Sequence, residues 1–187
     1  MHNWPELPLG SIGVNNGPMM AAVDEFDIII EGKGGHGAAP QGTIDSIVVS
    51  SQLINSIQTI ISRNTNPLES AVVTIGKIRG GDNHNIIADK VKLTGTVRAY
   101  TEKNRAMVKE RLKQIIDGIS KMSGAKILLK YHDGYPPTIN HELPTKKVLH
   151  AAQKVVGDKA GPLYLSMGGE DFSYYLKKLP GCFFFVG

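Results

Sequence analysis

The chain has 187 residues, 41% hydrophobic and 20% charged, a balance that suits one or two globular domains and excludes a disordered chain. Lys and Arg number 21 against 17 acids, a net charge of +4 without any long run of one sign, so nucleic-acid binding has no support. One cysteine excludes an internal disulfide, no apolar run approaches the ~18 residues of a membrane span, and no signal peptide opens the chain, so a cytoplasmic protein is expected.

Residues 1–22 carry three prolines and three glycines and read as loop and short strand. Phe26–Glu31 (FDIIIE) is short, β-branched and apolar, which predicts a strand. Thr43 is placed to cap a helix bearing Ile44, Ile47, Val48, Ile54, Ile57 and Ile61 near helical spacing. Ser70–Ile78 and Lys90–Tyr100 follow as strands. Thr101 then opens an amphipathic helix with Val108, Leu112, Ile115, Ile116 and Ile119 on one face and Gly124 as its stop. Lys126–Tyr131 predicts a fourth strand.

Strand, helix, strand, strand, helix, strand is the ferredoxin-like βαββαβ order, a four-stranded sheet with two helices on one face. After GYPPTIN the pattern changes. Residues 141–156 predict a helix with Pro144 in its first turn, Val148, Leu149, Ala152 and Val155 inside, and Gly157 as the stop. A short strand near Leu163–Leu165, the loop SMGGED, a helical turn at Phe172–Leu179 and a final strand Cys182–Val186 follow. The run CFFFV has the continuous apolarity of a strand buried on both faces of a mostly parallel sheet. The expected architecture is thus α/β, with a ferredoxin-like domain flanked by parts of a mostly parallel α/β domain.

Gly32, Gly34 and Gly37 satisfy G-x-G-x-x-G, but Pro40 and Gly42 delay the next helix and residues 50–55 hold no acid for a ribose hydroxyl, so a dinucleotide site is disfavoured. Six histidines occur without an H-E-x-x-H pair; taken singly, each is more often a surface or packing residue than a ligand. The loop Gly80–Asn85 (GGDNHN) reads as a hairpin connection whose amide and imidazole groups are also able to face a ligand. Arg98 is either a solvated strand arginine or a carboxylate clamp. Asp171 suits a helix cap, which leaves Glu170 open. No G-x-S-x-G elbow is present, and Cys182 in an apolar run suits inert packing.

Four stretches taken in order resemble one family: HNWPELPLGSIGVNNGPMMAAVDEFDI, GKGGHGAAP, GGDNHNIIAD with KVKLTGTVRAY, and GGEDFSYYLKKLPGCFFFVG. They are similar to the metal-dependent amidohydrolases of the hippurate hydrolase and indole-acetyl-amino-acid hydrolase group. The resemblance implies a catalytic α/β domain holding two divalent metals, zinc or manganese, and an inserted ferredoxin-like lid that mediates homodimerisation. On that basis residues 24–135 correspond to the lid, and 1–23 and 136–187 to catalytic-domain segments. By motif position His2 matches a metal ligand, and His36 the lid histidine that stabilises the oxyanion of the tetrahedral intermediate. Asn85 and Arg98 match residues holding the substrate's amide or carboxylate, and Glu170 a loop of the pocket wall. The implied substrate is a small N-acyl-amino acid; neither nucleic acid nor membrane is an expected partner.

The family's cysteine-histidine-aspartate segment, its paired glutamates and a further histidine ligand have no counterpart in the 187 residues. A lone His2 does not hold two metals, which need several nitrogen and oxygen ligands and an activated water. The expectation is a truncated amidohydrolase, inactive alone and binding no metal stably. The alternative is a non-catalytic dimerising lid-type module that binds a carboxylate ligand through Arg98.

Overall fold

The computed structural model describes residues 1–187. Three short strands come first: β1 (His2–Asn3), β2 (Ile12–Gly13) and β3 (Gly17–Met20). Then follow β4 (Ala22–Glu31), β5 (Gly35–His36), α1 (Ser46–Thr59), β6 (Ala71–Gly80) and β7 (Ile86–Ile87). The long elements β8 (Lys90–Ala99), α2 (Glu102–Ser123) and β9 (Lys126–Asp133) come next. The last stretch holds β10 (Thr138–Asn140), α3 (Glu142–Val156), β11 (Ala160–Gly161), α4 (Ser173–Leu176) and β12 (Phe185–Val186). Two compact units result, one of Asp24–Arg98 and Lys103–Gly134, the other of Met1–Val23, Ala99–Glu102 and Tyr135–Gly187.

In the first unit the strand order is β6-β8-β4-β9, the ferredoxin-like arrangement that βαββαβ predicts. β4 and β9 run antiparallel, from Asp24 opposite Asp133 to Glu31 opposite Lys126. Alternation sets Phe26, Ile28 and Ile30 of β4 and Val91, Leu93 and Val97 of β8 in the core. Val49, Leu53 and Ile57 of α1 and Val108, Leu112 and Ile116 of α2 are buried as well, each such side chain contributing roughly 1.5–3 kcal/mol. The alternate row is polar: Lys92 pairs with Asp27 at 2.9 Å, and Lys90 and Lys126 both reach Glu31. Gly95 is required here, because a Cβ would lie 2.3 Å from the Phe26 ring and 2.4 Å from the Thr74 carbonyl oxygen.

The cap of α1 is Asp45, not Thr43. Asp45 Oδ1 accepts from the N–H groups of Ile47 and Val48 at 2.9 and 3.2 Å, while the Thr43 hydroxyl donates to the Pro40 carbonyl and closes the turn before it. Of the apolar residues read at helical spacing, Ile47 and Val48 are 47% and 51% exposed, and Val49 and Leu53 take the core positions. Gly124, at φ 74°, follows α2 directly in a left-handed conformation that suits glycine.

The second unit carries a sheet ordered β1-β12-β2-β11. Its outer pairs are parallel and β12–β2 is antiparallel, and a separate ribbon pairs β10 with β3. The core gathers Met19, Met20, Phe183 and Phe185, with Trp4, Leu7, Leu163 and Phe172 packed against them. Trp4 stacks on Phe185 at 4.2 Å between ring centroids.

Three expectations fail in this unit. The strand lies at Ala160–Gly161, and Leu163–Leu165 is irregular. Asn15 replaces a strand neighbour there, its amide accepting from Leu163 N and donating to Leu163 O. At the C-terminus only Phe185–Val186 is regular strand; Phe183 and Phe185 are buried, whereas Phe184 and Val186 are half-buried, so the run is not enclosed on both sides. Asn140 satisfies Phe183 in the same way, donating to its carbonyl at 2.8 Å and accepting from its N–H at 2.6 Å. Val155 of α3, expected inside, is 79% exposed.

Candidate functional site

After β4 the chain turns at Gly32, whose N–H donates to Asp89 O at 2.8 Å. A Cβ at Gly32 would fall 2.2 Å from the Ile44 carbonyl oxygen, so glycine permits this backbone approach. The loop then forms β5, which pairs antiparallel with β7 through Gly35 opposite Ile87 and His36 opposite Ile86. Gly37 N donates to Asn85 O at 2.8 Å and extends the ribbon. Two glycine-rich loops far apart in sequence are thereby locked together, with His36 and Asn85 on exposed backbone at their junction.

His36 Nδ1 accepts from the Ala38 N–H at 3.1 Å. That assigns the neutral tautomer with hydrogen on Nε2, leaving Nε2–H as an outward-available donor. Asn85 adds a carboxamide that both donates and accepts. Arg98 stands near the end of β8 in the same unit, half-buried, and a guanidinium is able to hold a carboxylate through two parallel hydrogen bonds.

In the other unit His2 Nε2 meets Glu170 Oε2. The two residues are 168 positions apart. β1 holds His2 beside β12, and its ring packs edge-on against Phe183 at 5.1 Å. Glu170 Oε1 accepts from Phe172 N at 3.2 Å at the start of the α4 turn. Burial would raise the Glu170 pKa, but the Phe172 N–H and the His2 contact outweigh it and hold the carboxyl below the usual range. Glu170 therefore bears directly on His2. This pairing escaped the sequence reading, since nothing local to either residue signals it.

An imidazole nitrogen and a carboxylate oxygen meeting at one point are donors that zinc and manganese accept. A metal site needs three or more protein donors, and no group of three His, Cys, Asp or Glu side chains is gathered in residues 1–187. The chain's own residues fit one side of a metal site and not a whole one. The five residues singled out by sequence thus fall into a His2–Glu170 pair in one unit, and His36 with Asn85 plus Arg98 in the other.

A ferredoxin-like unit carrying a paired histidine loop is thus joined in one chain to a unit with a histidine–carboxylate pair. Residues 23–121 match the peptidase dimerisation domain of the M20 peptidases, and the chain belongs to that family. Over its full length it is 46% identical to the N-acetyl-L-cysteine deacetylase of Bacillus subtilis, covering 45% of that protein. It is 40% identical to the N-acetyldiaminopimelate deacetylase of Bacillus cytotoxicus, covering 50%. Among solved structures, Bacillus subtilis YXEP protein, described as a dinuclear metal binding peptidase of the M20 family, superposes with a TM-score of 0.81. Its identity is 34%, covering all of this chain and 46% of that one. The chain spans about half the length of the curated relatives it matches. No helix is long and apolar enough to cross a membrane.

Proposed function

We propose that this chain is the lid, residues 24–135, and adjoining catalytic-domain segments, 1–23 and 136–187, of an amidohydrolase that splits N-acyl-amino acids, hippurate-like amides included, into a carboxylic acid and an amino acid. The observation that carries this reading is the β5–β7 ribbon, which presents His36 with a donating Nε2 beside Asn85. A pre-organised neutral donor on rigid backbone is what the oxyanion of an acyl-transfer intermediate requires. Asn85 engages the amide, and Arg98 clamps the carboxylate of the amino-acid half. The deacetylase names of the relatives support the same substrate class.

His2 is one ligand of the divalent metal, zinc or manganese, with Glu170 beside it in the pocket wall. Since these two donors do not make a site, the 187 residues taken alone are expected to be inactive. The lid pairs two copies: β6 stands at the sheet edge with Ile78 exposed, and an open edge strand is a template for a second chain.

The test is a chimera in which this chain replaces the matching residues of the Bacillus subtilis N-acetyl-L-cysteine deacetylase. With zinc or manganese it is expected to hydrolyse members of a panel of N-acetyl and N-benzoyl amino acids. A folded chimera silent on the whole panel would overturn the reading and favour a dimerising module that binds a carboxylate through Arg98.

A further inference from the structure

We infer that Ser46, the first residue of α1, is a positioning residue for the ribbon that presents His36 and Asn85. That role rests on the reading of His36 as an oxyanion donor. With two residues in each strand, β5 and β7 are too short to hold a fixed place by their own pairing. Their place is set at the roots of the two loops. Lys33 and Ile44 exchange backbone hydrogen bonds at 2.9 Å in each direction, which closes the His36 loop at its neck. Asp89, directly before β8, is the root of the loop that carries Asn85.

Ser46 ties the two roots together. It is fully buried, and its hydroxyl both accepts and donates: Oγ accepts from the Gly32 N–H at 3.0 Å and donates to the Asp89 carbonyl at 2.9 Å. Its own N–H reaches the Ala88 carbonyl at 3.3 Å. The start of the His36 loop, the end of the Asn85 loop and the first turn of α1 thus meet at one hydroxyl, away from competing water. Glycine at 32 permits this, because a Cβ there would lie 2.7 Å from Ser46 Oγ. Alanine at 46 would keep the helix start and remove the tie. Gly32 N and Asp89 O would still hold each other at 2.8 Å, so the loss is local to the loops.

Amide hydrogen exchange on the full chain tests the tie without turnover. Gly37 donates to Asn85 O across the ribbon and so reports on the place of its neighbour His36. Ser46→Ala is expected to speed exchange at Gly32 and Gly37 at least about tenfold, while the amides joining β4 to β9 keep the parent's rates. Asp45→Ala removes the cap of the same helix and keeps the hydroxyl, so Gly37 is expected to stay within about twofold of the parent. Unchanged Gly37 exchange in Ser46→Ala, or an equal rise in Asp45→Ala, would overturn the inference. In the chimera with the Bacillus subtilis deacetylase, Ser46→Ala is expected to lower kcat about 10–10²-fold with KM little changed. Added to His36→Ala it is expected to change kcat by less than about twofold, because the group it positions is gone. A kcat kept in Ser46→Ala but lost in His36→Ala would overturn the positioning role alone. A kcat kept in His36→Ala would overturn the hydrolysis reading beneath it.

Discussion

Asp24, the first residue of the ferredoxin-like unit, is 1% exposed and carries a carboxylate. It is held by Arg105 through Nε at 2.8 Å and Nη2 at 2.5 Å, by the Tyr131 hydroxyl at 2.8 Å and by the Gly134 N–H at 2.9 Å. Burial would raise its pKa, but these donors, Arg105 foremost, outweigh it and hold the carboxyl below its ordinary value. A depressed carboxylate pKa contributes stability that is present above the unfolded value of about 3.9 and is lost as pH falls below it. Acid unfolding of Asp24→Asn is therefore expected to show a flatter limb below about pH 4 than the parent. Arg105→Met strands the buried charge and is expected to lower unfolding free energy by about 3–5 kcal/mol in urea melts at neutral pH. A loss under about 1 kcal/mol would show that water or another cation replaces Arg105. None of this was legible in the sequence, because the partners lie up to 110 positions apart and each alone reads as an ordinary charged or aromatic residue.

Among the elements, β8 and α2 were legible because their periodicity extends over eight residues or more, and β4 was read only from Phe26, short of its start at Ala22. The two-residue strands β5, β7 and β11 were not legible. Thr43 and Asp45 are both good capping types, and only the turn closed by Thr43 decides between them. Asp45→Ala is expected to destabilise the protein by ~1 kcal/mol, and Thr43→Ala by less, when both are compared by urea denaturation; the reverse order would return the cap to Thr43. In the second unit, side-chain amides stand in for strands. Asn15 and Asn140 each give a backbone segment one donor and one acceptor, so Leu163 and Phe183 are satisfied without extended ladders. Apolar runs at both places mimic strands, since the pattern records burial and not the source of the hydrogen bonds.

For the whole molecule, the motifs named individual site residues but not their company. GKGGHGAAP marks His36, and NIIAD with GTVR marks Asn85 and Arg98, yet their local pattern is equally that of a turn. The β5–β7 ribbon, formed between loops about 50 residues apart, is a tertiary pairing of two-residue strands too short for any periodicity. The His2–Glu170 pair spans nearly the full chain. Pairing of two lids is expected to give a sedimentation mass twice the 20.2 kDa of the chain, falling toward the single value in a variant with Ile78→Lys on the edge strand β6. A mass of 20.2 kDa at every micromolar concentration would contradict the dimer.

The central claim is that His36 donates to a developing oxyanion from its ordered loop. The most direct measurement is the steady-state kinetics of His36→Ala in the chimera with the Bacillus subtilis deacetylase. Loss of a donor used only in the transition state predicts a fall in kcat of about 10²–10³ with KM little changed. An unchanged kcat in the folded variant would contradict the account.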